Sequence, residues 1–235
     1  MEGMKSSTNV SILIHDGLTA LNAVGPYEVF QQVPGWKVGL VGRFRGEVRD
    51  DRRSLGLIAD VGINDAEPPD ILLIPGGIAQ KVIADKALLD WIRPADRESR
   101  WTTSVGTGSL ILGAAGLLEG RRATGHWLWR DGLSDYGAVP VGGRWVEDGK
   151  YMTAAGVAAG IDMALHLVGQ EAGPEVAQAI QLGIEYDPDP LFDAGSPDKA
   201  PAAIVEMVRA RMRPWGTRRL PSQHPLRRFT ASRRS

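Results

Sequence analysis

Thr103-Ser104-Val105-Gly106-Thr107-Gly108-Ser109-Leu110 is the stretch on which the fold turns. An apolar strand runs into a turn of small residues, and the turn opens directly into a helix, Leu110-Ile111-Leu112-Gly113-Ala114-Ala115. This is the layout of a nucleophile elbow, where a Ser or Cys is raised above a sheet on a tight strand-to-helix turn. The apex residue here is Gly106, which has no side chain. The surroundings suit covalent catalysis, and the nucleophile is missing.

Outward from the elbow, strands and helices alternate. Val10–Ile14, Trp36–Val41, Leu55–Val61, Asp70–Ile74 and Trp101–Val105 read as strands, with another near Arg122–Thr124. Asn22–Gln32 reads as a helix with Val24, Tyr27 and Phe30 inward. Val82, Ile83, Leu88, Leu89, Trp91 and Ile92 fall at the spacing of one helix. A helix is expected over Trp127–Tyr136, then a hairpin of Arg144–Val146 with Tyr151–Thr153, then helices over Gly156–Gln170 and Glu175–Gly183. Such alternation gives an α/β fold with a mostly parallel sheet and helices on both faces. Ligands of such sheets bind at the carboxyl ends of the strands. Both the Pro75-Gly76-Gly77 turn and the Gly106 elbow sit at such ends.

The chain has 235 residues, 43% of them hydrophobic and 23% charged, the profile of a water-soluble domain. The absence of cysteine excludes disulfides, thiolate metal sites and thiol catalysis. No apolar run is long enough for a transmembrane helix. Met1–Asn9 lacks the pattern of a signal peptide, so a cytoplasmic location is expected. From Arg209 to Ser235 there are nine arginines and no acid, while the remainder carries 18 basic residues against 28 acidic ones. One domain over residues 8–208 with a basic, flexible tail over 209–235 follows. An acidic body repels a phosphate backbone, so no nucleic-acid partner is expected.

The ordered segments resemble the isonitrile (isocyanide) hydratases of the ThiJ/PfpI superfamily. The matching stretches are Leu21-Asn22-Ala23-Val24-Gly25-Pro26-Tyr27-Glu28-Val29-Phe30, Ile74-Pro75-Gly76-Gly77, the elbow itself and Leu112-Gly113-Ala114-Ala115-Gly116-Leu117-Leu118. They continue through Arg122-Ala123-Thr124-Gly125-His126-Trp127, Gly160-Ile161-Asp162-Met163-Ala164-Leu165 and Phe192-Asp193-Ala194-Gly195-Ser196-Pro197-Asp198. The resemblance implies a flavodoxin-like three-layer sandwich, a homodimer with the pocket near the interface, and a small organic substrate. In the hydratases an elbow Cys attacks the isonitrile carbon, an acid before the Gly-Pro helix assists with protons, and an N-substituted formamide results. The Cys position is Gly106 here and the acid position is Asn22. A second Thr usual before the His is Gly125. The resemblance implies that all three changes fall in one cavity.

Asn22 keeps the shape of Asp without its charge, so it can orient a ligand but cannot act as a base. His126 is the remaining titratable candidate for moving a proton. Thr107 can donate to a substrate or simply support the turn. The amides of Gly76, Gly77, Gly106 and Thr107 suit an oxyanion cradle, and the same residues equally suit two tight turns with no ligand. Glu28 is an alternative acid if it faces the cavity, and a surface ion pair if it does not. Trp127 and Trp129 can line an aromatic pocket or fill the core. His15 reads as part of a turn and His166 as a core residue. The histidines lack metal-ligand spacing and no phosphate or dinucleotide loop is present, so neither metal nor nucleotide cofactor is expected.

Three functions stay open. The first is a cysteine-independent enzyme catalysing a non-covalent proton-transfer reaction: cyclisation, isomerisation, or a hydration or lyase step. The second is a catalytically dead ligand-binding or sensor homologue. The third is residual isonitrile hydration by an activated water.

Overall fold

Residues of the first strand alternate between two apolar surroundings, as in a strand buried on both faces. In the computed structural model, which describes residues 7–212, this strand is β1 (Thr8–Leu13). There follow α1 (Ala20–Phe30), β2 (Trp36–Gly42), β3 (Gly46–Arg49), β4 (Gly56–Ala59), β5 (Val61–Gly62), β6 (Ile71–Pro75), α2 (Ala79–Ala84), α3 (Lys86–Glu98), β7 (Trp101–Val105) and α4 (Gly108–Ala114). Then come β8 (Arg122–Ala123), a 3-10 helix (Arg130–Tyr136), β9 (Val139–Pro140), β10 (Trp145–Asp148), β11 (Tyr151–Ala154), α5 (Ala159–Glu171), α6 (Pro174–Gly183) and α7 (Ala202–Met212).

Seven strands form the main sheet in the order β10-β11-β7-β6-β1-β2-β5. Every neighbouring pair is parallel except β10–β11. Ile12 and Leu73 point into one apolar layer with Phe30 of α1, Met163 and Leu167 of α5, and Ile180 of α6. Leu13, Leu72 and Ile74 point into the other, with Val82 of α2, Ile92 of α3 and Ile111 of α4. The result is a three-layer α/β sandwich. Among the described residues no helix is long and apolar enough to cross a membrane.

Several local expectations are corrected. The single helix expected around Val82–Ile92 is two, because Asp85 breaks it: its extended backbone ends α2 and its carboxylate accepts from the Ala87 and Leu88 amides to cap α3. Trp127–Tyr136 is helical only from Arg130, and as a 3-10 turn. The strand expected over Leu55–Val61 divides into β4, paired antiparallel with β3, and β5, paired with β2. Val24 is not inward but 38% exposed. His166 is half-exposed, beside Glu147 at 3.3 Å with its ring against Trp145. His15 is in the turn read for it, its carbonyl accepting from the Leu18 amide at 3.0 Å, but it is buried. Helix α7 runs on across Arg209 to Met212. Residues 213–235 of the expected tail lie outside the described residues.

Candidate functional site at the elbow

β7 delivers the chain to Gly106, whose amide donates to Ala154 O at 3.0 Å and thereby stays in register with β11. Gly106 has φ +64°, in the left-handed region where a side chain is strained. A Cβ placed there would lie 3.2 Å from Asn22 Nδ2, so the missing elbow side chain and the Asn22 amide group face each other. Asn22 is 3% exposed on the first turn of α1, and its Oδ1 is buried without a hydrogen-bond partner. Leaving a buried carbonyl unpaired costs about 1–3 kcal/mol. That is a cost a ligand donor would remove.

The turn after β6 lies directly against the elbow. Gly77 N–H donates to Thr107 Oγ1 at 2.8 Å, and the Thr107 hydroxyl donates back to Gly77 O at 2.9 Å. Thr107 therefore clamps two turns together, and its one hydroxyl proton is committed to that clamp. Of the four amides expected to form a cradle, those of Gly77 and Gly106 are likewise committed. The amides of Gly76 and Thr107 have no acceptor among the described residues, and they adjoin: a Cβ on Gly76 would sit 2.5 Å from the Thr107 nitrogen. An oxyanion site requires free N–H groups aimed at one point, and these two are the unspent ones of the four.

Gly125 lies against the elbow, and His126 follows it in the chain. Gly125 does not open a hole where a Thr would stand. A Cβ there would be 2.5 Å from Ser109 Oγ and 3.0 Å from Gly106 O, and Ser109 donates to that same carbonyl at 3.1 Å. The Ser109 hydroxyl, in the first turn of α4, thus occupies the space. Ser109 was not singled out from the sequence, because only its contact with Gly125 gives it this role. The Leu128 amide donates to His126 Nδ1 at 3.3 Å, which places the ring proton on Nε2. Burial holds His126 below its ordinary value, so at neutral pH it is a neutral N–H donor. Its ring lies 4.9 Å from that of Trp129 and 5.9 Å from that of Trp127. Arg209 of α7 stands over Trp127 at 5.2 Å, a contact the sequence did not suggest.

Glu28 does not join this group. It is exposed on α1, where its carboxylate accepts from Gln31 at 3.3 Å. Among the described residues no cluster of three or more His, Asp or Glu could hold a metal ion.

Comparison with known proteins agrees with the fold and the motifs. The DJ-1/PfpI family model matches residues 8–170. Isonitrile hydratase of Pseudomonas putida is 41% identical over 206 residues, which are 87% of this chain and 90% of that protein. The crystal structure of a ThiJ/PfpI family protein from Pseudomonas syringae superposes with a TM-score of 0.86 at 34% identity, over 89% of this chain and 87% of that one. The HTH-type transcriptional regulator CdhR of Pseudomonas aeruginosa is 36% identical over 51% of this chain, which spans 36% of the regulator.

Proposed function

The chain belongs to the DJ-1/PfpI family and is isonitrile hydratase-like without cysteine, and on that premise we propose that it is a small-molecule enzyme that works without a covalent intermediate. The reaction class is proton transfer on a bound substrate: cyclisation, isomerisation, or addition or loss of water. The observation that carries this reading is the adjoining pair of free amides at Gly76 and Thr107. They can stabilise negative charge developing on a substrate oxygen, which is the largest single contribution in many such reactions. His126 Nε2–H donates toward the charge developing on the substrate, and the vacant acceptor at Asn22 Oδ1 orients an N–H or O–H of the substrate. With glycine at the apex there is no nucleophile, so orientation and electrostatics carry the catalysis.

The resemblance also carries a homodimer with the pocket near the interface. Leu21 and Val24, 44% and 38% exposed on the helix that bears Asn22, are apolar groups a second copy would cover. A cytoplasmic location completes the proposal.

Untargeted mass spectrometry of a metabolite extract incubated with the purified chain tests the reading. The native protein should convert at least one compound to an isomer, cyclised form or hydrate, and His126→Ala should still bind that compound but not convert it. A second reading, a ligand sensor, has the likeness to CdhR in its favour. Binding by both proteins with conversion by neither would establish it instead.

A further inference from the structure

A cavity of about 340 Å3 lies beside the carboxyl ends of β1 and β2 and shares no lining residue with the elbow. We propose that it is a second binding site, for a small organic carboxylate with an aromatic or branched apolar body. Its volume is at the lower end of small-molecule pockets.

The walls set the apolar half of the ligand. Ile14, Val48, Val82 and Leu88 line the interior. Phe44, at the mouth, is 69% exposed. Its turn is held close to the sheet edge: a Cβ on Gly42 would sit 2.7 Å from Phe44 O, so only glycine admits the turn there. A bound ring or branched chain would cover both the walls and the phenyl face.

The unspent hydrogen-bonding capacity sets the polar half. All three acids of the cavity are occupied. Asp16 pairs with Lys81 at 2.8 Å and with Arg53 at 2.8 Å. Asp85 caps α3 and faces Arg43 at 3.4 Å. Glu47 pairs with Arg49. The cations are not used up. Arg45 has no ion-pair partner among the described residues. Arg43 makes one loose contact through Nε, with its guanidinium 4.7 Å from the centre of the Phe44 ring. Lys81 spends one of its three N–H groups on Asp16. Donors left over after the acids are ion-paired suit an anionic, acceptor-only head group, and a carboxylate meets guanidinium in the strongest such geometry. At the floor, His15 is 4% exposed, with Nε2 3.2 Å from Pro75 O. Its resonances report occupancy directly.

The full chain is titrated with benzoate and 4-methylpentanoate, each beside its alcohol, and with inorganic phosphate. Thermal unfolding and the His15 imidazole signals are followed. At least one carboxylate should raise Tm saturably and shift His15, while the alcohols and phosphate should do neither. Arg45→Met with Lys81→Met should weaken binding about tenfold or more, and Val48→Trp, which fills the cavity, should abolish it. Gly106→Cys/Asn22→Asp should leave it intact. The proposal is overturned if neither carboxylate acts. It is equally overturned if phosphate or the alcohols act as strongly, or if binding is lost with the elbow changes and survives the cavity ones.

Discussion

Gly106 tests the site at the scale of one residue. At φ +64° a side chain is strained by about 1–2 kcal/mol, and a Cβ would also press on Asn22 Nδ2. Gly106→Ala should therefore lower the unfolding free energy by about that amount in a denaturant titration. No change would show that the elbow relaxes. His15 and His126 set the pH response. Burial is the first cause in both, and holds each below the ordinary value of 6.5. The unfolded chain then binds protons that the folded one refuses, so stability is full above that pH and declines as pH falls through it. Asp16, next to His15, is held low chiefly by its hydrogen bond from Lys81, so it stays ionised throughout that window. Tm should fall from about pH 7.5 to about pH 5.5, and less steeply in His15→Gln. An unchanged slope would remove His15 from the explanation. Gly106 and Asn22 were legible in the sequence because each belongs to a contiguous motif. The commitment of the Thr107 hydroxyl to Gly77, thirty residues away, and the space taken by Ser109 beside Gly125, exist only once the segments meet.

At the scale of elements, Asp96 ties the end of α3 to β7 and β11. Its carboxylate accepts from Thr102 Oγ1 at 2.7 Å and from Tyr151 OH at 3.3 Å, and stands 3.2 Å from Lys150 Nζ. Asp96 is 5% exposed. Removing one partner of a buried charged cluster strands the others, so Asp96→Ala should cost about 3 kcal/mol in equilibrium unfolding. A loss below about 1 kcal/mol would mean water replaces the carboxylate. Apolar elements were legible from their composition and period, including β6 and α5. The misread elements are those that tertiary contacts define. Gly46-Glu47-Val48-Arg49 carries two charges and a single apolar residue, and becomes a strand only because β4 pairs with it. The break between α2 and α3 rests on Asp85, whose capping bonds override a continuous helical period.

At the scale of the whole molecule, the seven-stranded sheet brings Pro75, Val105 and Ala154 to one edge, at the ends of three adjacent strands. That placement brings the Gly77–Thr107 clamp against Gly76, with Gly106 facing Asn22 beside it; the strand ends themselves were legible in the alternation of elements along the chain. The sequence could not show which amides would be spent on the fold itself, since that depends on the final register. The central claim is that a hydratase pocket persists here with its covalent route removed. Turnover of an aryl isonitrile by the native chain, beside Gly106→Cys/Asn22→Asp and His126→Ala, tests it most directly. The account predicts formamide from the double variant alone. Formamide from the native chain, lost in His126→Ala, would contradict it and establish a hydratase that needs no thiol.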